Sequence, residues 1–169
     1  MEDLINLSIR SRVAYAICCL EIVVKNKKVS ENPHWMIFME KLWSLTNMEY
    51  VDDWLHLISE ILPSNALNDE YSEDFEISRK IFYDNKVAFR LLSLTEIKIC
   101  DLIFEIGTVD LYGAIQDKSP LSLIPLNEVI NILNEQEYDL PKIERFLPFS
   151  IFEGNGWGKT FERNDVVTE

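Results

Sequence analysis

Glycine and proline are scarce, five and six among 169 residues, which excludes a collagen-like fibre and argues against a low-complexity, disordered chain. Long apolar runs are missing too. The first, "VAYAICCL" at Val13 to Leu20, falls well short of the roughly 20 residues a membrane helix needs. The amino-terminal "MEDLINLSIR" carries acids where a secretory leader has a basic region, so the expected location is the cytoplasm. Cysteine is limited to Cys18, Cys19 and Cys100, an odd number without metal-ligand spacing, and adjacent cysteines pair poorly with each other. All three are expected to be reduced, with Cys19 the most exposed.

Positive charge is the other shortage. Sixteen Lys and Arg face 29 Asp and Glu, a net charge of −13. The summed field repels phosphate backbones and anionic lipid headgroups, so neither nucleic acid nor a membrane is an expected partner. It speeds encounter with a basic protein, although it equally serves ordinary solubility.

What remains is rich in core-forming residues, 47% apolar and 11% aromatic, the composition of a packed globule long enough to bury a core without staples. Ile9, Val13, Ala16, Ile17, Leu20 and Val24 recur at helical spacing between Asp3 and about Lys27, with Arg10, Glu21, Lys25 and Lys28 elsewhere on the wheel, predicting a long amphipathic helix. Asn32 and Pro33 supply a cap and a first helical position for a second helix, whose stripe is Trp35, Phe38, Met39, Leu42 and Leu45. Thr46 or Asn47 can cap a third, carrying Trp54, Leu57, Ile58, Ile61 and Leu62 and stopped by Pro63. Residues from about Phe75 to Leu92 have mixed periodicity but are read as helix.

"SLTE" at Ser93 to Glu96 has capping-box spacing and precedes a stripe of Ile99, Leu102, Ile103 and Ile106. Gly107 and Gly113 then bracket a corner, Pro125 marks the first turn of a helix with Leu126, Val129, Ile130 and Leu133, and a last short helix lies between Pro141 and Pro148. No stretch alternates long enough to promise a sheet. The expected fold is all-α: a single-domain bundle of about six to eight helices over residues 1–150, with an irregular Gly- and Trp-containing segment over 151–169 packed on the same domain and flexible at its last residues.

That segment, "GNGWGKT", ends like a nucleotide-binding loop but cannot act as one. Counting back from Gly158 places Glu153 where the loop's first glycine belongs, no strand precedes it, and the Gly154, Gly156, Gly158 alternation fits no dinucleotide fingerprint. Its glycines instead suit positive φ in a sharp turn or a close approach to the body, with Trp157 either closing the fold or exposed as a partner anchor.

Glu31 with His34 and Asp53 with His56 have the acid-x-x-His spacing of di-iron bundles. Pro33 spoils the first, and Glu96, Asp101 and Glu105 do not supply the second's matching carboxylates. Asp101 and Glu105, four apart, could form an acid and base, yet no serine or cysteine motif accompanies either histidine. No catalytic, metal or cofactor-binding residue is assigned and no cofactor is expected.

The segment "PSNALNDEYSEDFE" reads as the longest connection. Asp69, Glu70, Glu73, Asp74 and Glu76, with Tyr71 and Phe75 between them, combine long-range attraction with ring contact area. Glu49, Asp52 and Asp53 could extend that surface if folding brings them near, and Trp157 is a further candidate contact. A hydrated loop with its two rings tucked inward is the plainer alternative.

"SRVAYAICCLE", "EKLWSLTN", "DDWLHLISEILP", "IFEIGTVDLYG" and "GNGWG", spread over residues 8 to 158, resemble stretches of small helical bacterial immunity proteins of polymorphic-toxin systems. The resemblance implies a non-enzymatic cytoplasmic protein that binds a cognate toxin domain, often a basic nuclease, and occludes its functional surface. The competing expectations are a helical regulatory or scaffolding domain and a cryptic metal-dependent enzyme.

Overall fold

The structure is a computed structural model that describes residues 3–167. The expected flexible end, Thr168 and Glu169, lies outside them. Among the described residues eight α-helices run in the order α1 (Ile9–Val24), α2 (Pro33–Trp43), α3 (Val51–Ser59), α4 (Pro63–Asn68), α5 (Arg79–Phe89), α6 (Leu94–Thr108), α7 (Pro120–Glu135) and α8 (Arg163–Val166), with short 3-10 turns in some of the connections. The chain is all-helical. Among the described residues β-type pairing is confined to one isolated antiparallel bridge, Leu7 with Ser150.

The three longest helices, α1, α6 and α7, pack on one another, and α2 and α3 close the other side of α1 and α6. Helix α1 is therefore not the amphipathic surface helix its wheel suggests: all of its residues except Glu21 and Ile22 are buried. Two arginines go inside with it. Arg10 donates to the Leu45 carbonyl, and Arg12 donates to the carbonyls of Ser119 (2.7 Å), Lys118 (2.8 Å) and Ile5 (3.1 Å) and to Ser122 Oγ (2.6 Å). Burial pushes Arg12 down to about 10, partly countered by Asp110, so its guanidinium remains charged at neutral pH. Two of the carbonyls it gathers, those of Lys118 and Ser119, belong to a left-handed turn, with Asp117, Lys118 and Ser119 at φ 46°, 61° and 52°. Strain of that kind persists only where the surroundings hold it, and here Arg12 does so together with the bonds of Ser119 Oγ to Asp110 and of Lys118 Nζ to Asn6 Oδ1 (2.9 Å).

Several starts follow local chemistry as expected. Asn32 accepts from the His34 N–H (2.9 Å) with Pro33 at the first position of α2. The Ser93 and Glu96 capping box opens α6, and buried Glu96 also meets Lys27 in an ion pair. Others differ. Helix α1 begins at its cap Ser8, and α3 begins at Val51, after a 3-10 turn over Ser44–Thr46. Pro63 starts α4 rather than stopping α3, because a ring without N–H suits a first turn as well as it ends a previous one. Pro120 likewise takes the first position of α7 and leaves Pro125 inside it.

Gly107 does not bracket a corner but sits within α6. A Cβ there would lie 2.8 Å from the indole of Trp54, which is fully buried, donates to the Lys41 carbonyl (3.0 Å) and stacks on Phe104. The carboxy-terminal segment returns to the amino terminus of α1. Gly154, Asn155, Gly156 and Gly158 all have positive φ, and a Cβ on Gly158 would collide with Ser8 at 2.3 Å. Phe161 and Val166 then join the same core.

Candidate interaction surface

The acidic connection is anchored at both ends, by the end of α4 at Asn68 and by Ser78, whose side chain caps α5. Between them the two aromatics turn inward but stop short of the main core. Tyr71 and Phe75 meet each other edge to face at 5.9 Å and both pack on Phe82, at 5.9 and 5.7 Å. Phe82 is 1% exposed, so the three rings form a satellite cluster beneath the loop.

Polar ties fix the rest of the loop. Arg79 lies over the Tyr71 ring at 5.0 Å and pairs with Glu73 at 2.6 Å, a hydrogen bond and attraction that raise the Arg79 pKa. Lys86 donates to the Asp69 carbonyl (2.8 Å), and Glu60 at the end of α3 accepts from the Glu76 and Ile77 N–H groups at 2.9 and 3.2 Å. Asp69, Glu70, Glu73, Asp74 and Glu76 all point to solvent. Only Glu73 among them has a basic partner within ion-pair distance among the described residues.

Glu49, Asp52 and Asp53 are exposed as well, with the two aspartates in the first turn of α3, where carboxylates complement the helix dipole. Glu60 and the loop stand at the other end of that helix, roughly 12 Å away at 1.5 Å per residue. The two acidic groups therefore flank α3 rather than merge. Trp157 is half-buried near the start of α1, its carbonyl accepting from the Arg10 N–H (3.4 Å), in a groove of about 770 Å³ shared with Ile115, Lys118 and the exposed Phe152. No ring contact or hydrogen bond among the described residues links it to either acidic group.

The catalytic and metal candidates lie apart. His34 Nε2 faces Asp84 of α5 at 3.6 Å, and Asp53 and His56 are both exposed on α3. No three His, Cys, Asp or Glu side chains converge with metal-holding geometry among the described residues. Asp101 is raised by burial and partly lowered again by a hydrogen bond from Ser64, whereas Glu105 is exposed. All three thiols are buried and raised by that burial, Cys18 to about 12, and it is Cys18 rather than Cys19 that lines a surface cleft.

One surface escapes the sequence reading. Tyr83, Val87, Leu91 and Leu94 are exposed along and just beyond α5. His34 beside Asp84 and Phe38 against Phe89 pack α2 on α5, and Ile37 of α2 is exposed as well. The mixed periodicity of residues 75–92 is the trace of this second apolar face. Among the described residues, no helix is long and apolar enough to cross a membrane. No family model, curated protein or solved structure matches the chain.

Proposed function

We propose that this chain is an immunity-type inhibitor: it captures a basic partner protein, a toxin domain, through the acidic loop between α4 and α5 and occludes that partner's working surface. The observation that carries the reading is the pinned loop, five exposed acids in the eight residues from Asp69 to Glu76 held over a satellite ring cluster by Arg79, Lys86 and Glu60. Acids that are already positioned steer a cationic partner and lose little freedom on contact. Such a surface imitates the negative charge that a nuclease attracts, without a reaction of its own.

The test takes as candidate partner any basic toxin domain that a neighbouring gene is found to encode. Neutralising four acids together (D69N, E70Q, D74N, E76Q) is expected to slow association about tenfold or more at low salt and to flatten its salt dependence. Unchanged association kinetics would reject the reading. A scaffolding role is favoured by a different observation, the exposed α5 stripe; loss of binding in V87E/L91E with full binding in the quadruple variant would select it.

A further inference from the structure

On α1, α2, α8 and the turn around Ile143–Arg145, a cleft of about 630 Å³ opens. The apolar part of its open lining is Ile22, Met36, Pro141 and Val167, with Met36 at the lip 53% exposed, and the sulfur-bearing Cys18 and Met39 lie beneath beside Trp35 and Phe146, each 9% exposed or less. Thioethers and a thiol give a soft lining that adapts to an inserted chain. The size falls within the roughly 300–1,000 Å³ usual for small-molecule sites.

The rim has the opposite sign from the molecule. Lys25, Lys142, Arg145 and Arg163 surround this cleft in a chain of net charge −13. Arg163 is balanced, since it pairs with Glu21 at 2.9 Å while Glu21 also accepts from Trp43 Nε1 at 3.0 Å. Lys25, Lys142 and Arg145 have no carboxylate within ion-pair distance among the described residues, and the other acid of the lining is Glu40. A surplus of cations thus overlooks a greasy floor. A ligand that fits both needs an apolar chain and a single anionic head. No glycine among the described residues lines the cleft, so it offers no backbone cradle for a chain of phosphates.

We propose that this cleft binds an amphiphilic carboxylate of the fatty-acid class, its hydrocarbon chain lying against Ile22, Met36 and Val167 above Trp35 and its head group held by Lys142 and Arg145. The site is separate from the acidic loop and would hold whether or not the toxin-capture reading does. Its charge recognises the head, and its apolar walls set a preference for longer chains.

Brominated myristate, kept below its micelle concentration, tests this by quenching tryptophan on contact. The expected result is saturable quenching at one ligand per chain, weakened at least tenfold in K142E/R145E and for the uncharged alcohol of equal length. Both substituted side chains are exposed, so the variant retains the wild-type melting temperature. Trp35→Phe, checked for folding by circular dichroism, should remove most of the quenching. Absence of quenching up to the solubility limit overturns the proposal. So does equal binding of acid and alcohol, insensitivity to K142E/R145E, or full quenching without Trp35, which would place the ligand elsewhere.

Discussion

Helices α1 and α5 make opposite use of cationic side chains. Helix α1 buries fourteen of its sixteen residues, including Arg10 and Arg12, whereas α5 buries only Phe82, Asn85, Ala88 and Phe89 of its eleven and leaves Arg79, Lys80 and Val87 in solvent. Composition does not explain the contrast. Arg12 is tolerated inside because four acceptors converge on it, three of them from a distant part of the chain, while the bases of α5 find partners only at the surface, Lys80 with Asp84 and Arg79 with Glu73. A buried charge is thus a statement about the acceptors around it, and an exposed apolar residue such as Val87 is a statement about a missing neighbour.

The sharpest way to break this contrast is Arg12→Ala. It strands three carbonyls and a hydroxyl and releases the left-handed turn, with an expected loss of about 4 kcal/mol in denaturant unfolding. A cost below about 1 kcal/mol would mean the turn holds itself. Next comes Gly107→Ala, where the new methyl meets the anchored Trp54 ring at 2.8 Å and overpacking should cost about 2 kcal/mol. A double-mutant cycle with Trp54→Phe should show positive coupling, since the smaller ring makes room; additive losses would place the strain elsewhere.

A milder probe is pH. An unfolded thiol ionises near 9.0, while Cys18 in the fold resists ionisation until about 12, so the unfolded chain releases its proton first. Stability should therefore fall as pH rises from about 9 toward 12, with Cys19 and Cys100 shifted in the same direction. Urea midpoints across that range measure it, and rapid labelling of native thiols at pH 8 would contradict it. The smallest effect is expected at the exposed end of the comparison: Val87→Glu should change stability by no more than about 0.5 kcal/mol. A loss several times larger would show that α5 is already covered in solution.

Much of the helical framework was legible because its signals are short in range. The Asn32 and Pro33 start, the Ser93 and Glu96 box and the positive φ of Gly154, Gly156 and Gly158 each depend on atoms a few residues apart. Proline misled at Pro63 and Pro125, since a ring that ends one helix can open the next, and local pattern does not say which. Of the candidate contact surface, the acids of residues 69–76 could be read from the segment itself, whereas whether Tyr71 and Phe75 face a partner or the body could not. That Glu60 ties the loop to the opposite end of α3 from Glu49, Asp52 and Asp53, and that Trp157 lies by α1, could not.

By itself the amino-acid order determined helix content, capping and a strongly negative surface, all consequences of side-chain chemistry within a turn or two and of simple charge counting. Tertiary structure alone decided that α1 would be the central helix, that Arg12 would be enclosed by groups more than a hundred residues away, and that basic side chains would gather around the sulfur-lined cleft. The physical reason is that burial and electrostatic surroundings are properties of which segments meet. A periodicity read along one segment carries no information about the acceptors another will bring.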